Sequence, residues 1–237
     1  FVCKPDRTMF EFLAELGIAE KLKWAPTKMS YFYNGVHYPW GNPVALLAFP
    51  ELNMISKLRY GFHAFFSTKR SKWNKLDKKD AVQWLKWWIG EKAYNVFWKR
   101  LFELKFFDYT SNMSAAWIWT RIKRVGLSRK SLMQEELGYI EGGSNVLLRA
   151  FEDKIRSMGG VIHLNKSVDK ILIRNSKVDG IAAGHSRHRA DTVISTIPIP
   201  LIPDMLDGAD DELIAKYRGV RNIPVVCAIV KLSEKVT

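Results

Sequence analysis

The sequence predicts an α+β protein whose helices come first and whose strands come last. Up to about residue 139, apolar residues recur at helical spacing between caps and glycines. After Gly142-Gly143-Ser144 and one further helix they fall into short runs separated by turn residues. The helical part also carries a hairpin signal, Asn34-Gly35 between two aromatic-rich arms.

The elements follow in order. Asp6, after Pro5, is the expected N-cap of a first helix. Its stripe is Met9, Phe12, Leu13 and Leu16, and Gly17 stops it. The hairpin over residues 31–38 comes next. A second helix is expected from about Asn53 to Thr68, with Ile55, Leu58, Phe62, Phe65 and Phe66 near one face. Asp77 is read as the cap of a third helix that Gly90 ends, and a fourth runs from Glu91 to about Lys105. Ser111 or Asn112 opens a fifth, closed by Gly126, and residues 127–136 read as a loop. The helix after Ser144 presents Leu147, Phe151, Ile155 and Met158 and ends at Gly159-Gly160. Strands are expected at 161–164, 168–174, 177–183, 186–190 and 192–195, with turns at Asn175-Ser176 and Gly184-His185. A short helix over 210–217 precedes a last strand, 224–232.

Composition excludes several classes. Nine Trp and thirteen Phe among 237 residues rule out disorder. Two cysteines, Cys3 and Cys227, rule out a disulfide scaffold and make a reducing compartment, the cytoplasm, the expectation. No apolar run reaches the ~18 residues of a membrane span. The net charge is +13, and residues 57–105 alone contribute +9 of it together with five of the nine Trp. Three readings of that segment stay open: solvated lysines on amphipathic helices, a membrane-surface face, or a nucleic-acid face. No nucleic-acid module accompanies it, so the last is the weakest. For the membrane reading, Lys69, Arg70, Lys72, Lys75, Lys78 and Lys79 would gather around Trp73 as a peripheral contact for anionic lipid.

Catalytic motifs are sparse. His185 and His188 have no third ligand nearby in the sequence, so a metal is not expected. His37 and His63 lie among aromatics and read as packing residues. Gly142-Gly143 at a helix start could receive a phosphate or a flavin edge, but alone it reads as a tight strand-to-helix turn.

The order of several loose motifs says more. It runs Gly138-Tyr-Ile-Glu-Gly-Gly-Ser, a helix ending Met158-Gly-Gly-Val-Ile-His-Leu, Ser167-Val168, Val178-Asp-Gly-Ile, and Ala190-Asp-Thr-Val-Ile-Ser-Thr-Ile-Pro198. The set resembles the middle of the flavin-dependent amine oxidase, protoporphyrinogen oxidase and phytoene desaturase superfamily. Upstream, Trp73-Asn-Lys-Leu-Asp, Gly90-Glu-Lys-Ala-Tyr and Ser114-Ala-Ala-Trp-Ile-Trp-Thr-Arg-Ile-Lys resemble the substrate-domain half of its protoporphyrinogen-oxidase-like members.

The resemblance implies residues 1–139 as a helical substrate-domain region, 140–200 as part of an FAD-binding domain, and 201–237 returning to the substrate-domain sheet. It implies FAD as cofactor and hydride transfer from a hydrophobic small molecule to the flavin. It implies FAD contacts at Val168 (through the backbone), Thr196, Ile197, Pro198, Gly142 and Gly143, and substrate contacts at Tyr139 and Cys227. Relatives hold the FAD pyrophosphate with a Gly-x-Gly-x-x-Gly turn, and none occurs in these 237 residues. With Phe1 in place of Met, the expectation is an internal portion of a longer enzyme, inactive and without tight FAD by itself. Amine oxidases carry a lysine near flavin N5 where this chain has Cys227. Lys231 lies about 13 Å further along an extended chain, so a dehydrogenase, desaturase or protoporphyrinogen-oxidase-like reaction fits better than amine oxidation. The alternative is a basic binding module, for membrane or nucleic acid, with no catalysis.

Overall fold

The computed structural model describes residues 1–234 and divides the chain into two compact units, Phe1–Val161 and the residues from Ile162 onward. It bears out the α+β class.

In the first unit the β-structure is a three-stranded sheet and a separate hairpin. Strand β1 (Leu22–Pro26) opens the sheet. The hairpin is β2 (Met29–Tyr33) and β3 (Val36–Trp40), joined at Asn34-Gly35, both with positive φ as a type I′ turn requires. Its tyrosine and tryptophan rings pack with Phe49, Tyr60 and Phe97 at centroid distances of 4.5–6.2 Å, and Tyr31 donates its hydroxyl to the Val96 carbonyl.

Helices follow, four of them in this unit capped by a side chain. Asn42 accepts from Ala45 N at the start of α2 (Pro43–Ala48), and Asn53 accepts from Ser56 N at the start of α3 (Met54–Lys69). These come after α1 (Arg7–Glu15), where Asp6 holds the N-cap position as expected but its carboxylate, engaged elsewhere, makes no cap hydrogen bond. After α4 (Asn74–Asp77), the cap of α5 (Ala81–Ile89) is Asp80, three residues beyond the expected Asp77. Asp77 instead accepts from Ser114 Oγ, and Ser114 itself caps α8 (Ala115–Leu127). The starts of α5 and α8 are thus tied together, with Ala81 N donating to Met113 O and Ala115 N to Lys79 O. That pairing moved both caps from their expected positions. Between them, α6 (Glu91–Tyr94) and α7 (Arg100–Phe106) are separated by a π-helical turn, Asn95–Lys99, inside what reads in sequence as one helix. Leu76, Leu85, Ile89, Phe102 and Ile118 form the fully buried centre of this bundle.

Residues 127–136 are not a loop. They form β4 (Arg129–Ser131) and the start of β5 (Gln134–Ile140), and the sheet order is β1-β5-β4. The run Gln-Glu-Glu has no apolar alternation, and its strand character comes from pairing with β1 more than a hundred residues earlier. Helix α9 (Ser144–Ser157) follows and belongs to this unit.

The second unit is a meander. Strands β6 (Lys170–Arg174), β7 (Lys177–Ala183) and β8 (Ser186–Arg189) pair antiparallel around the two expected turns. After α10 (Ile202–Met205), the two-residue β9 (Leu206–Asp207) joins β6 in parallel. Helix α11 (Asp211–Arg218) is capped by Asp210. The strands expected at 161–164, 192–195 and 224–232 have no ladder partner among the described residues. In particular, 224–232 pairs with none of the three sheets, and Val226 and Ile229 are almost fully exposed. Apolar, β-branched residues confer strand propensity, but a strand exists only where an edge offers hydrogen bonds to its backbone.

Candidate cofactor and substrate site

Strand β5 carries the residues that the sequence singles out in the first unit. Its centre is Gly138, which exchanges two backbone hydrogen bonds of 2.7 Å with Val2 and pairs with Trp24 on β1. A Cβ at Gly138 would come within 3.2 Å of Val2 Cβ and 3.0 Å of Leu22 Cδ1, so the chain passes here only as glycine without displacement. Tyr139 follows with its side chain half exposed. The chain then turns through Gly142 (φ +86°) and Gly143 (φ +80°) into α9. A Cβ at Gly142 would meet Val146 Cγ2 at 2.7 Å, whereas one at Gly143 would meet open space. Gly143 is the N-cap of α9 and supplies no side-chain acceptor. The turn therefore combines a left-handed double glycine, room above Gly143, and a helix start without a side-chain cap.

A polar clasp fixes the root of this strand. Asp6 accepts two hydrogen bonds from Arg124, 2.8 Å from Nε and 2.6 Å from Nη2, and a third of 2.8 Å from Cys3 N. The Arg124 hydrogen bonds hold the Asp6 carboxyl below the usual carboxylate range. Ser128 Oγ donates to Glu136 O at 2.6 Å and accepts from Lys4 N, and Lys4 Nζ pairs with Glu136 at 2.9 Å. Cys3 is fully buried, and that burial pushes its thiol pKa up, so it is a packing residue rather than a nucleophile. Beside the turn lies a cleft of about 460 Å³ whose lining includes Ile18, Val146, Arg149, Asp153 and Lys154. Sequence reasoning missed both the clasp and the cleft. Asp6 and Arg124 are 118 residues apart, and no local pattern pairs them.

The other expected cofactor residues belong to the second unit. Val168 is half-buried in irregular chain just before β6. Thr196, Ile197 and Pro198 are exposed, in irregular chain before α10. Cys227 is exposed on the unpaired segment. Tyr139, Gly142 and Gly143 thus come together at one end of β5, separate in the chain's division from Val168, Thr196–Pro198 and Cys227.

His63 is a packing residue as expected, buried against Trp84 and Trp88 at centroid distances of 4.7 and 5.5 Å. His185 and His188 are exposed, and no group of three metal-ligating side chains exists among the described residues. None of the helices among them is long and apolar enough to cross a membrane.

Comparison with known proteins gives the family. A family model described as flavin containing amine oxidoreductase matches residues 2–236. The chain belongs to that family. Among solved structures it is similar to an oxidoreductase from Methanosarcina mazei, with a TM-score of 0.58 and 19% identity. The match covers 88% of this chain and 49% of the Methanosarcina chain, so this chain spans about half the length of that relative. A search of the curated proteins found no match.

Proposed function

We propose that the chain is the central portion of an FAD-dependent oxidoreductase that removes hydride from a hydrophobic substrate. The observation that carries this reading is the family match over residues 2–236, joined to the double-glycine turn at the start of α9. The residues present fit one edge of a flavin site. The open space above Gly143 admits a close-approaching planar group, and α9 starts without a side-chain cap. FAD, when bound, supplies the two-electron acceptor.

In this reading, Gly142 and Gly143 let the backbone approach the cofactor, and the family resemblance assigns FAD contacts to Val168 and Thr196–Pro198 as well. Tyr139, half exposed before the turn, contacts the substrate. Cys227, where amine oxidases have lysine, favours an activated C–H bond over an amine, as in dehydrogenases, desaturases and protoporphyrinogen-oxidase-like enzymes. Two unbridged cysteines favour a reducing, cytoplasmic setting.

The test is flavin content. The complete gene product should purify yellow with one FAD per chain. Residues 1–237 alone, which contain no Gly-x-Gly-x-x-Gly, should purify colourless. A complete gene product that carries no flavin and gains none on incubation with FAD overturns the reading.

A further inference from the structure

Helix α3 is amphipathic in the inverted sense. Its inward face is polar: Lys57, His63 and Ser67 are each at most 8% exposed. Its outward face is apolar: Ile55, Leu58, Phe62, Phe65 and Phe66 are 50–69% exposed. The inward polar groups are partly accommodated. Lys57 Nζ donates to Leu47 O at 2.6 Å, and Ser67 O accepts from Trp119 Nε1 at 2.9 Å. The outward face continues onto α5 as an aromatic chain, with Phe62 to Phe66 at 6.4 Å, Phe66 to Trp88 at 6.0 Å and Trp88 to Trp87 at 5.0 Å. Trp87 is 71% exposed.

The sequence of this face is strongly basic, with Asp77, Asp80 and Glu91 the acids that flank α5. Residues 52–76 contain no Asp or Glu and six Lys or Arg. Lys69 Nζ sits 5.7 Å from the Phe65 ring centre. Lys69 and Arg70 also line a cleft of about 400 Å³ with Phe66, Ser67, Trp84 and Trp88. Lys72 and Trp73 follow, both exposed, and Lys75, Lys78 and Lys79 beyond them are exposed as well.

We propose that the α3–α5 aromatic face docks this protein on an anionic lipid bilayer, in the plane of the headgroup layer. Sixteen residues of helix span only about 24 Å, so α3 lies along the interface rather than crossing it. Phe62, Phe65, Phe66 and Trp87 enter the boundary between headgroups and acyl chains. Lys69 and Arg70 meet lipid phosphate at the rim, with their stems along the aromatic rings. A second copy of the chain is a poorer occupant, because it would bring two predominantly basic rims against each other. The surface therefore centres on α3 rather than on Trp73, and the lysines around Trp73 extend its basic border.

Vesicle co-sedimentation of the full chain decides this. Vesicles of phosphatidylcholine with phosphatidylserine should pellet the protein at low salt, and less of it at about 0.15 M salt. Pure phosphatidylcholine should pellet far less. Lys69→Gln with Arg70→Gln should lower the partition coefficient by about thirtyfold, from about 1 kcal/mol per charge. Phe62→Ser with Phe66→Ser should reduce binding while leaving the melting temperature near that of the parent, since both rings are solvent-exposed. Tryptophan emission should shift to the blue on anionic vesicles, and Trp87→Phe should diminish that shift. No pelleting at low salt overturns the proposal, as does pelleting that both double variants leave unchanged. Light scattering that finds a dimer dissociated by the Phe62 and Phe66 changes also overturns it, and assigns the face to a second copy.

Discussion

His63 makes the stability of the first unit depend on pH in a window of its own. The ring is 2% exposed, neither nitrogen has a hydrogen-bond partner, and it packs on the edges of Trp84 and Trp88. Burial pushes its pKa down from 6.5 to about 4. In the unfolded chain the imidazole takes up a proton as pH falls through 6.5, while the folded ring resists until about 4. The unfolded state therefore binds more protons between these values, and stability falls as pH falls. Between about pH 7 and about pH 5 the loss is about 2 kcal/mol, a drop in Tm of roughly 4–8 °C for a unit this size. All nine tryptophans lie before Val161, so urea denaturation followed by their emission reports this unit alone. His63→Leu replaces the unpartnered ring with an apolar group of similar volume and should flatten this part of the profile. The other four histidines are exposed. If parent and His63→Leu lose the same stability between the two pH values, the buried neutral ring is not the cause.

Three further outcomes follow from the same structure. Asp6→Asn should cost about 2 kcal/mol near neutral pH, measured by urea denaturation, because two hydrogen bonds from Arg124 lose their charged acceptor. Since the folded carboxyl lies below its ordinary value of 3.8, that stability is present above this value and is lost as pH falls through the folded pKa. Gly180→Ala should unfold the meander, at a cost of about 3 kcal/mol or more, because at φ +138° a Cβ would lie 2.0 Å from His188 O. Circular dichroism should register that loss while the tryptophan-detected transition of the first unit stays in place. Gly143→Val should weaken FAD binding by the complete gene product more than tenfold, because its side chain would fill the space assigned to the cofactor, whereas Gly142→Ala should weaken it less, because its Cβ meets Val146 instead. Flavin fluorescence titration separates the two.

Local features were the legible part of the fold. Asn34-Gly35 and Asn175-Ser176 announce their hairpins because positive φ at both turn positions selects few residue types. The bounds of β7 read correctly because turn residues flank it on both sides. Features set by distant partners were illegible. Asp80 rather than Asp77 caps α5 because Ser114 claims Asp77 from 37 residues away. Strands β4 and β5 lack alternation and depend on β1 and Val2. The segments 161–164, 192–195 and 224–232 carry strand composition without a strand partner. In the candidate site, the glycine turn was visible from composition and order, and the Asp6–Arg124 clasp was not. Helix α3 reads in sequence as an aromatic stripe along one face, and the structure turns that stripe outward. Periodicity marks an apolar face without saying what covers it.

The central claim is hydride transfer from a hydrophobic C–H donor, and anaerobic titration of the flavin-loaded complete gene product tests it most directly. Apolar donors with an activated C–H bond, isoprenoid or porphyrinogen in type, should bleach the visible flavin band in single turnover, while primary amines of similar size should leave it unchanged. Bleaching by the amines and not by the apolar donors would contradict the account.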